Sequence, residues 1–245
     1  MLKLLTETLP DVAEDTPFGC KVRSAAVAYG LHEPFEQFWV QDGGTVLAKI
    51  DNEAVLVEGE NMDAEELRVF LRTLDLKRLS CTAETAEHFG MPVSSRGEIM
   101  VLRPGHGVAH DTYADLKINP SPREIYAVLE QAECETFPVP EFEPFYMDLS
   151  FRTRHGAALS VGVCQGERLV ACAVCSAMTE HAAVAAAVAC VPGLRRHGYG
   201  RTAVAALAEK LNRNSLYLFR AEGENEAFYH FLGFEHYGSW SEISF

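Results

Sequence analysis

A chain of 245 residues, 48% of them apolar and 23% charged, has room for one large or two small domains and is too apolar to be disordered throughout. Its 21 basic and 35 acidic residues leave a formal charge of −14, which disfavours a nonspecific hold on nucleic acid or on an anionic membrane. No run reaches the ~18 apolar residues of a membrane span, MLKLLTETLP lacks the core of a signal peptide, and seven scattered cysteines suit a reducing compartment, so a cytoplasmic protein is expected.

From Phe35 onward, FEQFWVQ, TVLAKI and AVLVEG are separated by Asp42-Gly43-Gly44 and Asp51-Asn52-Glu53, the pattern of an antiparallel meander. Asp63 with Glu66 three residues later opens a helix over about 63–74, with Leu67, Phe70, Leu71 and Leu74 on one face. KRLSC and EIMVL read as strands, with a short helix from Ala83 to Phe89 between them. A first lobe is placed at 1–105, and the Pro, Gly and polar residues of 106–120 are read as a linker.

Ser121-Pro122-Arg123-Glu124 starts a second unit, 121–245, with a cap, a proline at the first helical position and an acid at the third. Ile125, Val128 and Leu129 share the face of that helix. After the Pro-rich TFPVPEFEPF come ALSVGVC and RLVACAVC, joined as a hairpin by Gln165-Gly166-Glu167. AAVAAAVACV at 182–191 has a helical composition, but the hairpin before it and Pro192-Gly193 after it make it a strand. A helix at about 199–212, a strand SLYLFRAE and a short helix in NEAFYHFLGF follow. The class is α/β with a mixed sheet.

The stretch Arg195-Arg196-His197-Gly198-Tyr199-Gly200-Arg201 joins a strand to a helix N-terminus. Unsatisfied N–H groups there favour an anion, the glycines allow close approach, and three arginines add charge where a diphosphate would lie. A surface turn that uses glycine only for its geometry is the plainer reading. Gly198-x-Gly200-x-x-Ala203 with Glu222 after the next strand also matches a dinucleotide fingerprint. That fingerprint needs its first glycine at the strand end, whereas residues 192–197 intervene, and too little chain follows Glu222 for the other half of such a sheet. A P-loop is excluded because no Gly-Lys-Ser/Thr follows.

Arg195, Gly198 and Gly200 resemble the Arg/Gln-x-x-Gly-x-Gly/Ala signature of the GNAT acetyltransferase superfamily, and Asn225 to Phe234 resembles its closing segment. The resemblance covers about 121–245 and implies an acyl-CoA N-acyltransferase fold with acetyl-CoA as cosubstrate. It implies that the pantetheine arm pairs with the strand near Ala189, Cys190 and Val191, between two splayed strands. It further implies that the diphosphate sits on the N–H groups of Arg196 to Arg201, that Asn225 contacts the coenzyme, and that Tyr229 faces its sulfur. Direct transfer to a primary amine of a small molecule or peptide follows, with Tyr229 as the acid. The base is not identified, with Glu180, His181 and Glu222 the nearest by topology. A noncatalytic acyl-CoA sensor is the competing reading.

Cys172-Ala-Val-Cys175 has metal-like spacing, but residues three apart on a strand face opposite sides, so no metal is expected. His106 and His110 are read as exposed, Trp39 and Trp240 as packed. The first half resembles the later elements of the same superfamily but has no Arg-x-x-Gly-x-Gly, as in a degenerate tandem copy.

Overall fold

Asp63, Thr82 and Ser121 each begin a helix in the computed structural model, which describes residues 1–106, 115–135 and 137–245. Along the first half run β1 (Lys3–Leu4), α1 (Pro17–Tyr29), β2 (Glu36–Val40), β3 (Val46–Ile50), β4 (Glu53–Val57), α2 (Ala64–Leu71), β5 (Arg78–Thr82), α3 (Ala83–Phe89) and β6 (Val93–Leu102). The second half holds β7 (Asp115–Ile118), α4 (Pro122–Ala132), α5 (Phe142–Arg154), β8 (Leu159–Gln165), β9 (Arg168–Met178) and β10 (Ala182–Cys190). It ends with α6 (Tyr199–Leu211), β11 (Ser215–Ala221), α7 (Glu226–Phe231) and β12 (Glu235–Ser244). Three successive strands, a helix, a strand, a helix and a strand thus occur twice in the same order.

By compactness, Met1–Ile99 groups with Phe219–Glu222 and His236–Phe245, and Met100–Leu218 groups with Gly223–Glu235. In the first unit β2, β3 and β4 form the expected meander, β5 runs parallel to β4 through three pairs, and β12 pairs antiparallel with β5. Leu47, Leu56, Leu67, Leu71, Leu79 and Phe89 fill its core. Each side chain of that size contributes about 1.5–3 kcal/mol when removed from water. Only half of the expected capping box forms at α2. Asp63 accepts the Glu66 N–H at 3.0 Å, but the Asp63 N–H goes to Gln41 Oε1 at 2.7 Å, and Glu66 instead holds Gln41 Nε2 and the Leu2 N–H.

In the second unit β7, β8, β9 and β10 are antiparallel neighbours and β11 is parallel to β10. The α4 capping box is complete, with Ser121 and Glu124 each bonding the other's main chain. Ile125, Val128 and Leu129 are buried on the sheet as the spacing requires. The alanine-rich stretch is strand β10, because pairing on both sides outweighs the helical preference of alanine.

Besides the two-residue β1, four elements escape the sequence pattern. In α1, capped by Thr16 with Pro17 in its first turn, the buried face includes Gly19, Ser24, Ala25 and Ala28, too small to give an apolar rhythm. Pro144 does not prevent α5, since it lies in the first turn where its missing N–H has no intrahelical acceptor. Asp115–Ile118, read as linker, is strand β7 on β8. The exposed, polar first half of β12 hides its alternation. Trp39 is buried against Phe70, and Trp240 Nε1 donates to the Arg220 carbonyl at 3.1 Å. His106 is exposed beside Glu235, whereas His110 and 107–114 of the expected linker lie outside the described residues.

Candidate functional site

The second unit departs from regular pairing where the sequence places the coenzyme. β10 pairs with β11 from Ala182↔Ser215 to Ala185↔Leu218, then continues to Cys190 with no further pair to β11 among the described residues. On its other side β10 skips a residue at Ala186, where the register with β9 jumps from Ala185↔Cys175 to Ala187↔Val174. The extra residue reverses the alternation. Ala183 and Ala185 before it, and Val188 and Cys190 after it, all join the core beneath α6, while Ala187, Ala189 and Val191 turn to the core beneath α4. Ala186 itself is exposed.

Beyond Cys190 a short 3-10 turn, Pro192–Leu194, leads to the arginine loop. Arg195 Nε reaches back to the Cys190 carbonyl at 3.4 Å, and His197 Nδ1 lies 2.9 Å from the Arg195 carbonyl, tying the loop to the strand end. Arg196 adopts φ 67 and Gly198 φ 86, so Gly198 is required by its backbone conformation. Gly198 is also the cap of α6, which has no side-chain cap and no acid in its first turn. The first bond returning to the cap is from Thr202 N–H to the Gly198 carbonyl at 2.9 Å. The N–H groups of Tyr199, Gly200 and Arg201 therefore have no intrahelical acceptor.

Gly200 differs from Gly198. A β-carbon there would meet Phe228 Cζ at 3.7 Å, an ordinary contact, so no protein atom demands glycine. That same distance brings the first turn of α7 against the first turn of α6 and joins the two motifs. Tyr199, Phe228 and Tyr229 pack with Val188 and Cys190 against the core beneath α6. The Tyr229 ring meets Phe228 and Phe234 at centroid distances of 5.2 and 5.7 Å. Asn225 caps α7 at φ 53 without using its side chain, and asparagine tolerates that left-handed conformation well. Arg201 Nε is shielded from solvent and has no hydrogen-bond partner among the described residues.

Other sequence features separate from this cluster. Glu180 and His181 precede β10 at the end away from the arginine loop. With about 3.3 Å per residue, His181 stands roughly 16 Å along the strand from Ala186, too far for a base acting there. Cys172 and Cys175 enter different cores, as strand alternation requires, and burial pushes their thiols up to about 12 and about 11. Burial also raises Cys190, with Arg195 opposing it weakly. The Ala186 bulge was invisible in the sequence, because a run of alanines contains no change of size or polarity to mark it.

Residues 123–234 match the model described as the acetyltransferase (GNAT) family, so the second half of the chain carries a GNAT domain. No curated protein matches the sequence. Among solved structures, a GCN5-related N-acetyltransferase from Kribbella flavida is 18% identical over 92% of this chain and 93% of its own, with a TM-score of 0.63. A tandem GNAT protein from the clavulanic acid biosynthesis pathway is 16% identical over 99% and 97%, with a TM-score of 0.60. A GNAT-family acetyltransferase from Colwellia psychrerythraea is 12% identical over 100% and 99%, at 0.56. These likenesses show the fold: a mixed α/β GNAT architecture that extends over both halves. No helix among the described residues is long and apolar enough to cross a membrane.

Proposed function

We propose that the GNAT domain binds acetyl-CoA and transfers its acetyl group to a primary amine. The observation that carries this reading is the edge of β10 left by β11, followed after a short turn and the arginine loop by a helix N-terminus without a side-chain cap. An extended amide chain lies along the β10 edge that β11 leaves beyond Ala185, near Ala189, Cys190 and Val191, although Val191 itself already bonds Val170 and Leu194 through its main chain. A diphosphate accepts from the N–H groups of the Arg196–Arg201 loop. The shielded, unpartnered Arg201 Nε fits an anion at that place. Gly200 fits it too, since the missing side chain leaves the start of α6 open to a ligand.

Tyr229 is the acid in this reading. As the acceptor nitrogen bonds to the acyl carbon and the carbon–sulfur bond breaks, Tyr229 gives its phenolic proton to the leaving thiolate. The two groups are matched, with ordinary pKa values about 1.5 units apart. The acylated nitrogen loses its extra proton to water, from which Tyr229 is reprotonated. Asn225 serves chiefly to turn the chain into α7, and contact with the coenzyme is its secondary role.

Calorimetry against acetyl-CoA, CoA and NAD tests the binding half. Micromolar or tighter binding of both CoA species and none of NAD is expected. Preference for NAD overturns the reading, and CoA binding without transfer to any amine in a broad panel makes the domain a sensor.

A further inference from the structure

The α4–α5 face carries chemistry that the coenzyme site does not use. Tyr126 of α4 meets Phe142 and Phe145 of α5 at ring-centroid distances of 5.0 and 5.6 Å, and Phe142 meets Tyr146 at 5.6 Å. All four rings are half-exposed. The guanidinium of the exposed Arg123 lies 5.3 Å from the Phe142 ring centre and 5.2 Å from that of Tyr146, so these faces already receive a cation from the solvent side.

Apart from Arg123, and from Lys117 and Arg152, which pair with Glu124 and Asp148, the surrounding charge is acidic. From Glu124 to Phe151 the sequence holds seven acidic residues and no lysine or arginine. Glu130, Glu141 and Glu143 are exposed beside the rings on α4 and at the start of α5. Phe145 also packs into the apolar cluster that holds Ala187 and Val191, which sets the patch on the face of β10 toward which Ala187, Ala189 and Val191 turn.

We infer that this patch binds a linear aliphatic polyamine and that the polyamine is the acyl acceptor, an assignment that rests on the transferase reading above. The methylene segments lie on the rings of Phe142 and Tyr146, and the ammonium groups reach the ring faces and the glutamates. Phe142 and Tyr146 are four residues apart on one helix face, about 6 Å along α5, comparable with the separation of neighbouring nitrogens in such a chain. The incoming cation displaces Arg123, whose exposed contact is weak and lost at little cost.

Calorimetry of the full chain with spermidine, with and without CoA and at two salt concentrations, tests this. One spermidine is expected to bind per chain, more weakly at higher salt. Tyr146→Leu and Phe142→Leu each weaken it about tenfold while CoA affinity stays the same. The exposed Glu143→Lys weakens it similarly, and Arg123→Ala strengthens it severalfold by removing the competitor. A protein that binds CoA but not spermidine, or that prefers a lysine-rich peptide, overturns the inference and leaves the transferase reading standing. Spermidine affinity indifferent to Tyr146→Leu and Glu143→Lys also overturns it. Spermidine binding that follows the variants in a protein that fails to bind CoA supports the patch as a cation site and overturns the transferase reading instead.

Discussion

The two helices that connect parallel strands, α2 between β4 and β5 and α6 between β10 and β11, begin in opposite ways. At α2 the helix end is closed: Asp63 accepts the Glu66 N–H, Gln41 takes the Asp63 N–H, and Glu65 and Glu66 place acids in the first turn. Beyond the last β4–β5 pair, Val55↔Ser80, Glu58 is engaged by Thr85 Oγ1 at 2.6 Å and His88 Nδ1 at 3.2 Å. At α6 the cap is glycine, the first turn has no acid, and arginines surround it. The first helix gains the ~1 kcal/mol of a side-chain cap, which the second forgoes while leaving its N–H groups for a ligand. One element order thus supports a closed helix start in one half and, in the other, the open start at which the diphosphate site is proposed, and the difference is local.

The largest effect is expected at Tyr229. Counting from the helix starts, its counterpart on α3 is the buried Ala86. Tyr229→Phe should lower turnover roughly 10²- to 10⁴-fold in a steady-state assay, with CoA affinity by calorimetry unchanged. Undiminished turnover would remove the proton-donor role. Gly200→Glu gives α6 the first-turn acid that Glu65 supplies in α2, at a position where a β-carbon is tolerated. Acetyl-CoA affinity should fall about 100-fold, since a carboxylate occupies and repels the diphosphate position. If the variant binds acetyl-CoA like the parent, the two helix ends do not differ in the way described. Asp63→Ala is the mirror experiment and the smallest effect. It should cost about 1 kcal/mol in urea denaturation and leave acetyl-CoA affinity alone. A loss of affinity there would mean that the first lobe takes part in coenzyme binding.

Much of this was legible because the signals are local. Ser121-Pro122-Arg123-Glu124 specifies a helix start by its own hydrogen bonds, and α4 begins there with the box complete. Arg195, Gly198 and Gly200 marked a strand-to-helix loop, and that is where they stand. The Asp63–Glu66 box was half legible, because Gln41, 22 residues earlier, competes for the Asp63 N–H. Asn225 adopts a left-handed conformation at the start of α7, a role that its sequence context does not distinguish from the ligand contact the resemblance implies. β12 lacks a legible alternation because its first half is exposed and polar, and its pairing with the distant β5 leaves no local signal.

By itself the sequence determined the local grammar: which segments turn, which helices have caps, and that three arginines and two glycines share one strand-to-helix loop in an acidic chain. It also carried the family, since the two motifs fall in order within residues 123–234. The tertiary structure decided what depends on partners. The β10–β11 pairing stops at Ala185, the bulge at Ala186 reverses the alternation of β10, and Phe228 comes to rest against Gly200. Residues distant in sequence set each of these through packing and register, energies that no short window of residues contains.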